Sequence, residues 1–172
     1  MIAPEALWLS LRTTLWALAG VLVCGIPLAL LLARRRFPGK ALLETLLALP
    51  LVLPPTVVGY VLVAGLGQGS GVGRWLNDRA GVHLLFSEAG VALAAGVMSL
   101  PLFVRPTTAA LRTVPPETVE AARLDGAGRA VLLARILLPL SRQGVLAGAL
   151  LAAARALGEF GATLMVGGAI PG

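Results

Sequence analysis

Arg155 and Glu159 are the only ionisable residues in the apolar run from Gln143 to Gly168. Their four-residue spacing puts both on one face of a helix, where they can pair. Ionisable groups this deep in a bilayer face a bundle interior or a wet cavity, and they mark substrate or proton paths. That functional reading is preferred to a purely structural one. Gly158 and Gly161 flank the glutamate and would allow close packing or a bend. Nothing else in the chain assembles a catalytic set. His83 is the single histidine, read as a loop residue, so no Ser/His/Asp grouping exists. Cys24, the single cysteine, lies in an apolar run and cannot form an internal disulfide. A zinc site has no His/Cys cluster to build on. The stretch Gly67-Gln68-Gly69-Ser70-Gly71-Val72-Gly73 lacks the lysine of a phosphate loop and does not fit the dinucleotide fingerprint, so it reads as a helix exit and external turn. The expectation is a chain without covalent chemistry, without a cofactor and without its own nucleotide site.

The elements that would hold such a pair are set by composition. Of 172 residues, 58% are apolar and 13% charged, and the mean hydropathy is +0.90. Soluble domains carry about 25% charged residues and about 45–50% apolar ones. A bilayer accommodates the excess, because lipid tails solvate apolar faces. Four runs are candidates to span: Thr13 to Ala33, Thr45 to Gly73, Ala89 to Val104 with its flanks, and Gln143 to Gly168. The first could be mistaken for a cleavable signal peptide. Its apolar core is too long for one, and no basic cluster precedes it. Pro50, Pro54 and Pro55 interrupt the second run. Each removes a backbone donor and clashes with the preceding turn. A simple kink and a broken helix lining a path both remain open. Gly144 and Gly148 have the spacing of a small-residue packing face.

The net charge of +6 is clustered between apolar runs rather than laid out as a stripe, which argues against nucleic acid. Basic residues number 4 in 34–40, 2 in 74–88 and 6 in 105–142. By the positive-inside rule the three loops lie inside, outside and inside, with the N-terminus outside.

The third loop has its own architecture. Pro115 and Pro116 can stop one helix and start another. Glu117 and Glu120 suit the first turn of that helix by dipole. Gly126 and Gly128 permit a sharp turn, an arginine-studded amphipathic segment follows, and Pro139 closes it. The spacing predicts a short helix-turn-helix at the cytoplasmic surface over 115–139.

That loop resembles the EAA loop of bacterial ABC-importer permeases: Glu-Ala-Ala, three residues, Gly, nine residues, Ile, one residue, Leu-Pro. Glu120, Ala121, Ala122, Gly126, Ile136, Leu138 and Pro139 meet all its fixed positions. Ala130 departs from the bulky aromatic common after the preceding arginine. Further segments are similar to the molybdate permease branch, among them Leu49-Pro50-Leu51-Val52-Leu53-Pro54-Pro55, Val57-Val58-Gly59-Tyr60 and Leu157-Gly158-Glu159-Phe160-Gly161-Ala162-Thr163.

The resemblance implies an all-α, polytopic membrane helix bundle of the type I importer kind. Residues 1–172 would form one transmembrane domain with four spanning helices, one helix short of the family at the C-terminus. It implies a coupling role for the EAA loop, and a path or gate role for Pro54, Pro55, Arg155, Gly158, Glu159, Phe160, Gly161 and Thr163. The implied partners are a cytoplasmic ABC ATPase, an external substrate-binding protein, a second copy of the chain and the lipid bilayer of a bacterial inner membrane. Molybdate is the expected cargo, with tungstate or sulfate as alternatives. A secondary transporter using Arg155 and Glu159 as a relay, or a membrane fragment without transport activity, are the alternatives of another class.

Overall fold

The structure is a computed structural model that describes residues 4–67, 69–80, 85–159 and 161–167. Among the described residues every regular element is helical: α1 (Pro4–Arg34), α2 (Lys40–Val52), α3 (Pro55–Leu66), α4 (Gly71–Ala80), α5 (Glu88–Thr113), α6 (Pro116–Leu124), α7 (Arg129–Leu140), α8 (Arg142–Leu157) and α9 (Gly161–Gly167). Two helices are long and apolar enough to cross a bilayer in one piece, Trp8–Arg34 and Glu88–Thr113. Up to four spans exist if each of two bent helix pairs counts as one.

α5 is the central post, packed by α1, α8, α9 and α2. It begins where Ser87 accepts from the Gly90 amide at 3.2 Å, with Glu88 in the first turn. Cap and acid together satisfy exposed amides and complement the helix dipole. Phe103, Leu111 and Met98 on α5 are essentially inaccessible, and with Ala29 and Leu32 of α1 they make most of the interior. The predicted span of Ala89 to Val104 lengthens at both ends, because Pro101 and Pro106 are absorbed within a continuous helix. α8 lies on α5 through small residues: Gly148, Ala152 and Ala156 are buried at four-residue spacing. A Cβ added to Gly148 would stand 2.8 Å from the Phe103 carbonyl oxygen, so the two backbones touch only because the side chain is missing.

The outward faces carry the opposite chemistry. Trp16 is 63% exposed, Val23 74% and Leu150 72%. In water such surfaces would be aggregation sites; in a bilayer they are solvated.

Three predicted elements differ in shape. The second run is not one kinked helix but two, α2 and α3, meeting at 117°. Pro50 stays inside α2, and the break comes at Leu53-Pro54. Leu53 is forced extended (φ −74°, ψ 145°) by the proline after it, and Pro55 opens α3 at its first turn, where no amide is missed. The glycine-rich stretch is a turn only at its start. Ser70 accepts from the Gly73 amide at 2.8 Å and launches α4, with Gln68 outside the described residues. The last run is also interrupted: α8 stops at Leu157, Gly158 caps it, and α9 starts at Gly161.

Candidate functional site

The loop after α5 is built from local rules. α5 ends at Thr113, Pro115 and Pro116 restart the chain as α6, and Glu117 sits in the first turn. Pro116 at the start of a helix loses no hydrogen bond. α6 then ends in a Schellman motif. The Ala127 amide donates to the Ala122 carbonyl at 2.9 Å, and the Gly126 amide to the Arg123 carbonyl at 3.0 Å. This closure needs a left-handed residue, and Gly126 has φ +83°. The Glu-Ala-Ala and Gly spacing is thereby explained: Ala122 supplies the receiving carbonyl and Gly126 the reversal four residues later. Gly128, by contrast, is ordinary extended backbone capping α7.

α7 contains a π-helical stretch, Leu132–Leu137, in which the Leu138 amide reaches back five residues to Leu133. The wider turn makes room just before Pro139, whose ring would crowd the carbonyl of Arg135 in a regular helix. Pro139 does not itself close the segment. The bend of 79° into α8 falls at Ser141, two residues later. Ser141 is 2% exposed and its hydroxyl donates to the Leu137 carbonyl at 2.6 Å.

The loop has two faces. Val119, Leu132 and Leu137 are buried in the same cluster as Leu111 and Val114, with Ala122 and Leu133 half-buried beside them. Glu120, Ala121, Arg123, Leu124, Asp125, Gly126 and Pro139 are exposed, whereas Ile136 and Leu138 are half-buried. Leu124, at the α6 tip, is 89% exposed. Two arginines fix the loop root. Arg34 donates to the Val114 carbonyl at 3.2 Å, and Arg112 to the Leu32 carbonyl at 3.3 Å and to Glu44 Oε1 at 3.2 Å. Sequence reading counted these arginines only as topological charge. Their role as caps for carbonyls 80 residues away, like the position of Ser141, has no local signature.

The second group of residues gathers where the two broken runs meet. α9 packs on α3 and α5, and Val166 is fully buried with Val58, Ala94 and Met98. The Phe86 amide donates to the Val166 carbonyl at 2.8 Å from a left-handed backbone, φ +59°. Phe86 carried no sequence signal. Arg155 Nη1 and Glu159 Oε2 pair at 2.5 Å, across the interruption between α8 and α9 rather than within one helix. The Glu159 side chain is 1% exposed and that of Arg155 28%. Thr163 Oγ1 donates to the Glu159 carbonyl at 3.0 Å, tying the first turn of α9 to the interruption. Pro54 and Pro55 begin α3, on which α9 rests. Phe160 lies outside the described residues, as does His83.

The sequence profile of one family, described as a binding-protein-dependent transport system inner membrane component, matches residues 25–171. The chain belongs to this family. The profile takes in α2 to α9 and the last third of α1, so the loop and both broken runs fall inside it. Among curated relatives, the chain is 48% identical over 168 residues to the molybdenum transport system permease protein ModB of Escherichia coli K12, covering 98% of this chain and 73% of that protein. Against ModB of Haemophilus influenzae it is 40% identical over 160 residues, 93% of this chain and 70% of that one. The sulfate transport system permease protein CysW of Escherichia coli K12 is 38% identical over 168 residues, with 57% of its length covered. Family membership and the apolar helices make the chain a multi-pass inner-membrane protein of permease rather than catalytic type.

Proposed function

We propose that the chain is the permease subunit of an ATP-driven molybdate importer, with α6 and α7 as the lever that couples it to a cytoplasmic ATPase. The observation that carries the coupling assignment is the two-faced loop: Val119, Leu132 and Leu137 are clamped into the bundle while Glu120, Ala121 and Leu124 stand bare. A helix fixed on one side and unpartnered on the other can transmit a push. Small Ala121 lets a partner's groove approach closely, and Leu124 offers an apolar knob to it. Because α7 continues to the Ser141 bend and then into α8, displacement of the loop turns α8, whose last turn carries Arg155 and which Gly158 caps.

The path in this reading runs past the α3 and α9 half-helices, with Pro54, Pro55, Gly158, Glu159, Phe160, Gly161 and Thr163 as its gate. Arg155 is neutralised by Glu159 in this state, so an anion would meet a free guanidinium only when the pair opens. A second copy of the chain completes the path, an external binding protein delivers the anion, and the N-terminus lies outside. The cargo follows the relatives named for molybdenum transport. Sulfate is the second reading, supported by the likeness to CysW.

The test is uptake into proteoliposomes holding the permease with its ATPase and binding protein. ATP-dependent molybdate uptake is expected, with tungstate and sulfate added as competitors to rank the cargo. Uptake that persists without ATP but collapses with the proton gradient would point to a secondary transporter. Gly126→Pro and Glu120→Lys should each abolish uptake while leaving membrane insertion intact. ATPase co-purification that survives both changes would count against the lever.

A further inference from the structure

We propose that the N-terminal halves of α1 and α5 form a site for one zwitterionic phospholipid, with an acyl chain in the groove between the two helices and a headgroup bearing a primary ammonium on the Arg12–Glu88 pair. The groove has a volume of about 740 Å³. Pockets that bury small ligands measure about 300–1,000 Å³. Ala17, Gly20, Ala92 and Gly96 line it beside the larger Trp16 and Leu100. A Cβ added to Gly20 would meet nothing within 4 Å, so the groove stands open over this residue.

The depth of the groove selects its occupant. It runs from Arg12 to Cys24 on α1 and from Glu88 to Leu100 on α5, twelve residues along each helix. That is about 18 Å at about 1.5 Å per residue, close to one leaflet, which is half of a core of about 30 Å. Further along, the helices close on each other. A Cβ added to Gly25 would stand 2.5 Å from the Phe103 ring, and Ala29, Leu32, Phe103 and Val104 share one buried cluster. A neighbouring transmembrane helix needs a seam along the whole span. A groove one leaflet deep, apolar inside and charged at its mouth, has the outline of a single lipid. Its charged end is at the membrane boundary, because the uncharged run of α1 starts at Thr13 and α5 starts at Glu88.

The charges at the mouth select the headgroup. Arg12 Nη2 and Glu88 Oε2 stand 3.4 Å apart, with side chains 54% and 39% exposed. Both residues line the groove. Together they carry no net charge, so a purely anionic headgroup is drawn by Arg12 and repelled by Glu88. A headgroup with both a phosphate and an ammonium can set each charge beside its opposite. A guanidinium has five N–H donors and a carboxylate accepts through two oxygens, so each keeps capacity for the headgroup after their mutual contact.

The experiment uses the full chain in maltoside micelles. Phosphatidylethanolamine or phosphatidylglycerol with the same acyl chains is added, and retained lipid is counted by native mass spectrometry. One retained phosphatidylethanolamine is expected, at about threefold lower concentration than phosphatidylglycerol requires. Glu88→Gln should remove that preference by weakening phosphatidylethanolamine alone, and Arg12→Gln should weaken both lipids. Gly20→Leu, which fills the groove, should abolish retention of both. Gly65→Leu, at another glycine with open space around its Cβ, should leave retention unchanged. Equal retention of the two lipids, or equal loss of both in Glu88→Gln, overturns the headgroup assignment. Retention that survives Gly20→Leu overturns the groove. A lipid-free dimer that Gly20→Leu splits gives the groove to a second copy and overturns the proposal as well. If Gly20→Leu fails to fold by circular dichroism, Glu88→Gln and Arg12→Gln decide it.

Discussion

Gly126 turns the chain at a point where a side chain would be strained. Its φ of +83° places it in the left-handed region, and open space surrounds it, so the strain of a substitution there would be purely conformational. Left-handed backbone costs an L-residue about 1–2 kcal/mol. Gly126→Ala should therefore weaken the closure of α6 without disturbing its packing. The Ala127 amide, which donates to Ala122, reports this directly. Its hydrogen exchange should speed up about fivefold for about 1 kcal/mol, while amides in the middle of α5 keep their protection. Unchanged exchange at Ala127 would mean that the Schellman closure is not what holds the turn. Arg155 and Glu159 show the other kind of residue-scale constraint. A carboxylate with 1% of its side chain exposed is tolerable in a bilayer protein because a guanidinium meets it.

The α5–α8 contact is the element on which the bundle depends most visibly. Gly148 faces the Phe103 carbonyl, Gly144 lies against Pro106 and Ala110, and Ala152 and Ala156 continue the stripe. Without a hydrophobic drive between helices in lipid, close backbone approach and van der Waals contact supply the association. Gly148→Leu should force α8 away from α5 and destabilise the fold by about 1–3 kcal/mol or more. A lowered unfolding temperature in detergent is the readout. Leu150→Ala, on the 72% exposed face of the same helix, should leave that temperature nearly unchanged. Equal effects of the two changes would show that the stripe is not a packing face. The same element scale explains the two interruptions. α2 and α3 part at 117° because Pro54 and Pro55 stand together, whereas isolated Pro27, Pro101 and Pro106 remain inside continuous helices.

At the scale of the molecule, α1 and α5 are each long and apolar enough to cross a bilayer in one piece, and the broken runs pack beside them. Arg12 and Glu88 pair at 3.4 Å at one end of α5, and Arg112 with Glu44 at 3.2 Å toward the other. The topology proposed from loop charge has the Glu88 end outside and the Arg112 end in the cytoplasm. In a Cys24→Ala background, Arg74→Cys should react with an impermeant maleimide in intact cells. Leu124→Cys should react only after the membrane is opened. The reverse pattern would invert the topology and move α6 and α7 to the wrong side for a cytoplasmic ATPase.

Composition and loop charge suffice for a polytopic helical membrane chain, because the cost of apolar surface and the bias of basic loops are additive along the sequence. The helix-turn-helix expected over 115–139 was equally legible, with helices found at 116–124 and 129–140, since prolines and a left-handed glycine act on their immediate neighbours. The pairing of Arg155 with Glu159 was also expected from their four-residue spacing, but the pair forms across the interruption after Leu157 rather than along one helix. Tertiary structure alone decided the rest. That α9 rests on α3 depends on contacts between distant segments, and neither the full break at Pro54 nor the interruption after Leu157 was read from the sequence. The same holds for Arg34 and Arg112, whose carbonyl partners lie 80 residues away. Helix periodicity says which residues share a face, but not which face another helix will cover, and the surroundings of Arg155 and Glu159 are decided at that step.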